Sequence, residues 1–190
     1  MAYGANFKGQ TSMTNSQFYG LFYGCKTIVD ASKLVLPATV AVGQCYRQMF
    51  YSCTSLISAP ELPATVLGSQ CYCEMFYACT SLMNAPALPA TDLADNCYGT
   101  MFYSCTSLEL APILPAEWLK TRCYKGMFRN CKSLKYIKAM FTDTPNDDTN
   151  GLWVENISAS GTFVKNAAAT WDVVGTSGIP EGWTVEYAES

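Results

Sequence analysis

The chain has 190 residues, 49% of them apolar and 14% charged, with a net charge of −3 and no histidine. That composition belongs to a folded protein rather than a disordered one, and it offers no Lys/Arg stripe of the kind that displaces counterions from nucleic acid. Without histidine, Ser-His-Asp, Cys-His and His-ligated zinc sites are excluded within the chain.

Met1–Gln10 shows neither the basic n-region nor the apolar h-region of a signal peptide. No apolar run approaches the ~18 residues of a membrane span, so membrane insertion is not expected. Phe7–Met13 echoes Phe50–Leu56 and reads as a half repeat, as if the chain began partway into a longer protein. Gln17–Cys25 is a fuller but degenerate first unit. Its connecting phrase, Ala31–Thr39, carries two extra residues before Leu36-Pro37-Ala38-Thr39. Irregular first units are expected where a repeat array must close its end.

A 26-residue period then governs the middle of the chain. Cys45-Tyr46-x-x-Met49-Phe50-Tyr51-x-Cys53-Thr54-Ser55-Leu56 returns at Cys71–Leu82 and Cys97–Leu108, and in altered form at Cys123–Leu134. Ala59-Pro60-x-Leu62-Pro63-Ala64-Thr65-x-Leu67 links the first two blocks. A fixed period of this length marks a solenoid, because one unit is too small to bury its own apolar face. On a 3.6-residue wheel Leu67, Cys71, Tyr72, Met75, Phe76 and Cys79 share one side, and Gln70, Cys73, Glu74 and Tyr77 the other. That pattern predicts a helix, with Thr65 as N-cap and with Gly24 and Asn130 at helix ends. Leu82–Pro89 predicts a short strand that stops or bulges near Pro86. Beyond Phe141 a polar loop, Thr142–Gly151, precedes a tail without the period. There Gly161–Lys165 and Trp183–Tyr187 alternate like strands.

Strand, turn, helix and turn in 26 residues fit a leucine-rich repeat. The phrase Phe-x-x-Cys-Thr-Ser-Leu-x-x-Ala-Pro at Phe50–Pro60 resembles the BspA-like (Treponema-type) leucine-rich repeats of bacterial surface proteins. The segment Gly161–Val185 is similar to the C-terminal cap found with such repeats. The fold class expected is therefore α/β: a leucine-rich-repeat solenoid, one short strand and one helix per repeat, over residues 1–143. A loop and a β-rich cap follow over residues 144–190. The resemblance implies a bacterial, extracellular or cell-surface protein, an adhesin or antigen, that binds a protein or glycan as a monomer.

Eight of the ten cysteines form pairs eight residues apart: Cys45/Cys53, Cys71/Cys79, Cys97/Cys105 and Cys123/Cys131. Eight helical residues rise about 12 Å, beyond the ~7 Å that a disulfide allows between Cα atoms. The pairs are therefore expected as buried, stacked thiols. Cys73, on the opposite side of the wheel, is expected outside the core and reactive.

Two surfaces are candidates for recognition. On the expected concave strand face the variable positions are Ile57, Ser58, Glu61, Met83, Asn84, Glu109, Leu110, Ile113, Lys135 and Tyr136, differing residues on a constant frame. On the expected convex face runs a row of Tyr23, Tyr51, Tyr77 and Tyr103, ending with Arg129; stacked rings present rigid amphipathic area. Tyr46, Tyr72, Tyr98 and Tyr124 lie nearer the core. Asp143–Asn150 holds oxygen ligands but no recognised calcium-loop spacing, so a solvated loop is expected. No phosphate loop, nucleophile elbow or paired carboxylates are visible. Neither a cofactor, a metal nor catalysis is expected. The alternative role is a structural spacer or receptor-binding part of a larger assembly, such as a phage tail or multidomain surface protein.

Overall fold

Residues 42–53 show how each unit closes a coil. Alternate amides bond back within the segment: Cys45 N–H donates to Val42 O, Arg47 to Gln44, Met49 to Tyr46, Tyr51 to Gln48 and Cys53 to Phe50, at 3.1–3.2 Å. The intervening amides of Gln44, Tyr46, Gln48, Phe50 and Ser52 donate to the carbonyls of Ser69, Cys71, Cys73, Met75 and Tyr77 in the next coil, at 2.7–3.1 Å. Every amide from Gln44 to Cys53 is thereby satisfied. Gln44, Gln48 and Ser52 stand at φ of 57°, 56° and 56°. A left-handed corner at every fourth residue strings overlapping β-turns into a ribbon. The computed structural model describes residues 13–189. The same corners recur at Ser16, Gly20 and Gly24, at Gln70, Glu74 and Ala78, at Asn96, Thr100 and Ser104, and at Arg122, Gly126 and Asn130.

This ribbon replaces the expected helix, and the α/β leucine-rich-repeat solenoid with a helix in each repeat is not the fold that forms. Among the described residues the α-helix is α1, Asp147–Asn150, capped by the Asn146 side chain. Cys45, Tyr46, Met49, Phe50 and Cys53 recur every four residues, a spacing that a 3.6-residue wheel and a four-residue ribbon both bring to one side. A helix would use all its amides internally and leave neighbouring coils joined by side chains alone. The ribbon keeps alternate amides for its neighbour. Each non-glycine corner costs roughly 1–2 kcal/mol, and the hydrogen bond that it sends to the next coil offsets this by about 1 kcal/mol. Gly24 and Asn130, expected as helix ends, do adopt φ of 68° and 64°, but as corners of the ribbon.

A second backbone line joins the coils by parallel bridges: Asp30 to Ser58, Ser58 to Asn84, Asn84 to Leu110, and Leu110 to Tyr136. In the coils carrying Ala59-Pro60 and Ala85-Pro86 the contact on this line is a single bridge, and in the coil carrying Ala111-Pro112 two separate bridges, Leu110 to Tyr136 and Leu114 to Ala139, flank the proline, because proline has no amide to offer a ladder. Lys138 stands where Pro112 stood one coil earlier, and there a four-residue strand forms. It is β3 of the chain, after the two-residue strands β1 (Val40–Ala41) and β2 (Val66–Leu67), which pair with each other on a third line. Strand β3 (Tyr136–Ala139) pairs in parallel with β4 (Thr162–Lys165), which pairs in parallel with β5 (Thr184–Tyr187). The ladder thus runs straight across the boundary expected at residues 143/144. The ribbon continues too: Tyr124, Phe128 and Asn130 donate to Thr149, Trp153 and Glu155. The half repeat expected at Phe7–Met13 lies outside the described residues except for Met13.

The core is a set of side-chain columns, each residue stacked on its counterpart one coil away. Phe22, Phe50, Phe76, Phe102 and Phe128 stack at centroid distances of 5.2–5.8 Å. Phe18, Tyr46, Tyr72, Tyr98 and Tyr124 stack at 5.5–6.0 Å. Met49, Met75, Met101 and Met127 form a third buried column that Trp153 completes. The far end is closed by Trp153, whose indole N–H donates to Gly178 O at 2.8 Å, and by Trp171, whose indole N–H donates to Phe141 O at 3.3 Å. Lys165 is buried there, its ammonium donating to Trp171 O and to Asp172 Oδ1 at 2.8 Å.

Candidate functional site

The bridge line decides what the first candidate surface displays. Leu56 and Leu62, flanking it, are buried, as are their counterparts Leu82 and Leu88, which anchors the backbone between them. The residues between are pushed outward. Ile57 is 41% exposed, Met83 52%, Leu110 50% and Ile113 54%. Glu61, Asn84 and Glu109 are also exposed, and Ser58 and Tyr136 are half-buried. Lys135 and Glu109 close the line with an ion pair of 2.6 Å, a solvated contact that contributes little to stability. Beside this ridge, Ala59, Pro60, Glu61, Leu62, Pro63, Pro86, Ala87 and Pro89 line an open groove of about 290 Å³. Prolines that interrupt the ladder thus form one wall of the ridge. Val29 and Val35 extend the apolar display into the first described coil. Allowing for the two-residue insertion before Leu36 aligns them with Ile57 and Glu61.

The tyrosine row lies on the turn ribbon, since Tyr23, Tyr51, Tyr77 and Tyr103 each precede a left-handed corner. The rings stack face to face at 4.7, 4.5 and 4.5 Å, within 3° of parallel. Arg129 covers the last ring at 5.8 Å and pairs with Glu155. Burial, then the neighbouring Tyr103 and Tyr51, push the Tyr77 phenol up to about 12. This geometry limits what the row can do. Sugars bind to the faces of aromatic rings, and here each face between Tyr23 and Arg129 is taken by its neighbour. Edges and hydroxyls are what Tyr51, Tyr77 and Tyr103 offer. Tyr46, Tyr72, Tyr98 and Tyr124 are buried.

All ten cysteines are free thiols. Cys53, Cys79, Cys105 and Cys131 each donate S–H to the carbonyl of a phenylalanine (Phe22, Phe50, Phe76, Phe102) at 2.9–3.1 Å, a small apolar residue spending its weak donor between coils. The expectation for Cys73 is overturned. It is buried, accepts a contact from Asn96 Nδ2 at 3.5 Å, and its thiol is pushed up to about 11 by burial and the adjacent Glu74. A 100° wheel sends it outward; the ribbon's four-residue repeat tucks it beneath Arg47 and Asn96. The half-exposed thiol is instead Cys25, held below its ordinary value by a hydrogen bond from Thr27 at 3.4 Å. At pH 8 a stoichiometric alkylating reagent should label Cys25 first in native protein, read by peptide mapping; preferential labelling of Cys73 would refute this burial order.

The polar loop is folded. Asp143 Oδ2 accepts from Leu119 N–H at 2.7 Å, and Asp147 Oδ1 accepts from the Ser177 hydroxyl at 2.6 Å. Among the described residues no group of three His, Cys, Asp or Glu side chains is arranged to hold a metal ion, and no helix is long and apolar enough to cross a membrane. Trp118, 62% exposed on the β1–β2 line, was missed by the repeat-based reading; it stands where Val66 and Asp92 stand in earlier coils. Comparison with protein-family models, curated proteins and solved structures finds no match to this chain.

Proposed function

We propose that this chain is a non-catalytic binding module, displayed at a bacterial surface, that recognises a protein through its ridge. The observation that carries the reading is the exposure of Ile57, Met83, Leu110 and Ile113 on successive coils. Large aliphatic side chains held half in water on a rigid frame are costly to leave uncovered and suit a protein partner. Aliphatic anchors favour a protein over a glycan, and the covered ring faces of the tyrosine row point the same way. Surface display follows from the resemblance of the repeat phrase to bacterial surface proteins, and rests on that alone.

Changing Ile57, Met83 and Leu110 together to serine should abolish binding in a screen of a displayed protein library and a glycan array. The melting temperature should hardly move, since none of the three belongs to the buried columns. The comparison variant is Tyr23→Ser, which removes the end ring of the row, stacked among the described residues on Tyr51 alone and 56% exposed. Loss of binding with Tyr23→Ser and retention with the ridge variant would move the site to the tyrosine row and refute the ridge. Hits confined to the glycan array would refute the protein assignment.

A further inference from the structure

Covering the ridge covers more than aliphatic side chains. The groove beside it is framed by Ala59, Pro60 and Pro63 of one coil and by Pro86, Ala87 and Pro89 of the next, and of the residues that line it Glu61 alone is charged. Both coils are interior to the array, each bridged to a described coil on either side through Asp30, Ser58, Asn84 and Leu110. Glu61 is exposed and forms no ion pair with any described residue. Its counterparts one and two coils on are Ala87 and Ile113, and one coil back Val35, so a single carboxylate interrupts an apolar row. Glu109 and Lys135, elsewhere on the ridge, already neutralise each other. A partner that buries Ile57, Met83 and Ile113 must take Glu61 out of water with them. A carboxylate under apolar cover is strongly disfavoured unless a cation and hydrogen bonds meet it.

We propose that the groove receives an arginine of the protein partner, its guanidinium on the Glu61 carboxylate and its stem along the proline walls. On the ridge reading, from which this follows, the partner's contact segment therefore carries a basic residue set between aliphatic ones. A guanidinium meets a carboxylate with two parallel N–H donors and is less strongly hydrated than an ammonium. Its methylene stem covers apolar surface of the kind that Pro63, Pro86 and Ala87 offer. At about 290 Å³ the groove takes one long side chain, not a helix about 10 Å across.

Two measurements test the pocket. Methyl NMR of the full chain follows Ala59 and Ala87 during titration with N-acetyl-arginine amide or, as the uncharged control, N-acetyl-norleucine amide. The arginine compound should move both methyls, the norleucine compound should not, and Glu61→Gln should remove the response. Equal movement by the two compounds, no movement by either, or a response that survives Glu61→Gln overturns the proposal. For a protein that the natural chain selects from the displayed library, Glu61→Gln should weaken binding about 30-fold, with the melting temperature unchanged. Binding that the ridge substitutions abolish and Glu61→Gln leaves intact overturns the arginine and leaves the ridge standing. An arginine response at Ala59 and Ala87 with no protein selected overturns the ridge and leaves the groove a guanidinium site.

Discussion

Phe76→Ala will lower the stability of the chain by about 3–5 kcal/mol. Phe76 is fully buried and lies between Phe50 at 5.5 Å and Phe102 at 5.6 Å, so the substitution opens a gap in the middle of a column. Neighbouring rings cannot collapse into it, because their backbones are pinned on both sides by hydrogen bonds from Phe50 N–H to Met75 O and from Phe76 N–H to Met101 O. Part of the loss is stacking, about 0.5–1.5 kcal/mol for each ring contact removed. Because stability in such an array resides in the interfaces between coils, the damage will spread. Hydrogen exchange should accelerate at Phe50 and Phe102 as well as at the substituted residue. Denaturant unfolding followed by circular dichroism measures the total; a loss under about 1 kcal/mol, or one confined to a single coil, would contradict the column description.

Removing residues 152–190 will leave a chain that is insoluble or self-associates. The cut passes through the last ribbon coil. It strips Trp153 from the ends of the Tyr124, Phe128 and Phe141 stacks, whose centroids lie 5.9–6.4 Å from it. It also deletes β4 and so leaves β3 (Tyr136–Ala139) an uncovered edge. Light scattering after size-exclusion chromatography reads the outcome directly. A monomer of the shortened chain that melts cooperatively would show that the tail is an appendage and not the end of the solenoid.

The period, the columns and the strands of the tail could be read from the sequence because they depend on spacing alone. Cys45, Cys71, Cys97 and Cys123 are 26 residues apart whatever the local backbone does, so residues on one column were correctly grouped. What spacing could not resolve was the backbone within a repeat. Met49 and Phe50 follow Cys45 and Tyr46 by four residues, and four lies close enough to 3.6 that a helix and a turn ribbon bury the same side chains over three turns. The distinguishing mark was in the polar positions. A true helix tolerates almost any residue at Gly20, Gly24, Gly126 and Asn130, whereas glycine and asparagine every fourth residue suit left-handed corners. In the central coils Gln48, Glu74 and Thr100 hide that signal. The same ambiguity reaches Cys73, which a 3.6-residue wheel and the ribbon put on different sides, and Thr65, whose amide pairs with Thr39 O where a helix cap is expected. The ridge was recognisable because exposure there follows from differing residues on a constant frame; the covering of the tyrosine faces was not, since it depends on the distance between coils.

The one-way hydrogen bonding of the ribbon also has an electrical consequence. Whereas on the bridge line the peptide groups that join coils point both ways, in the ribbon they point the same way along the solenoid axis, each with a dipole of about 3.5 D. Their sum runs opposite to that of an α-helix read in the same chain direction: the negative pole lies at the N-terminus and the positive pole at the C-terminal closure. Asp147, Asp148 and Glu155 belong to the last coil, at that positive pole, where Asp148 O accepts from Arg122 N–H and Glu155 O from Asn130 N–H. At the opposite pole a lysine in place of Gln17 or Tyr19 would meet a favourable potential from the backbone itself. The ribbon backbone thus adds to the formal charges a potential that favours cations beside the first described coil and anions beside the last.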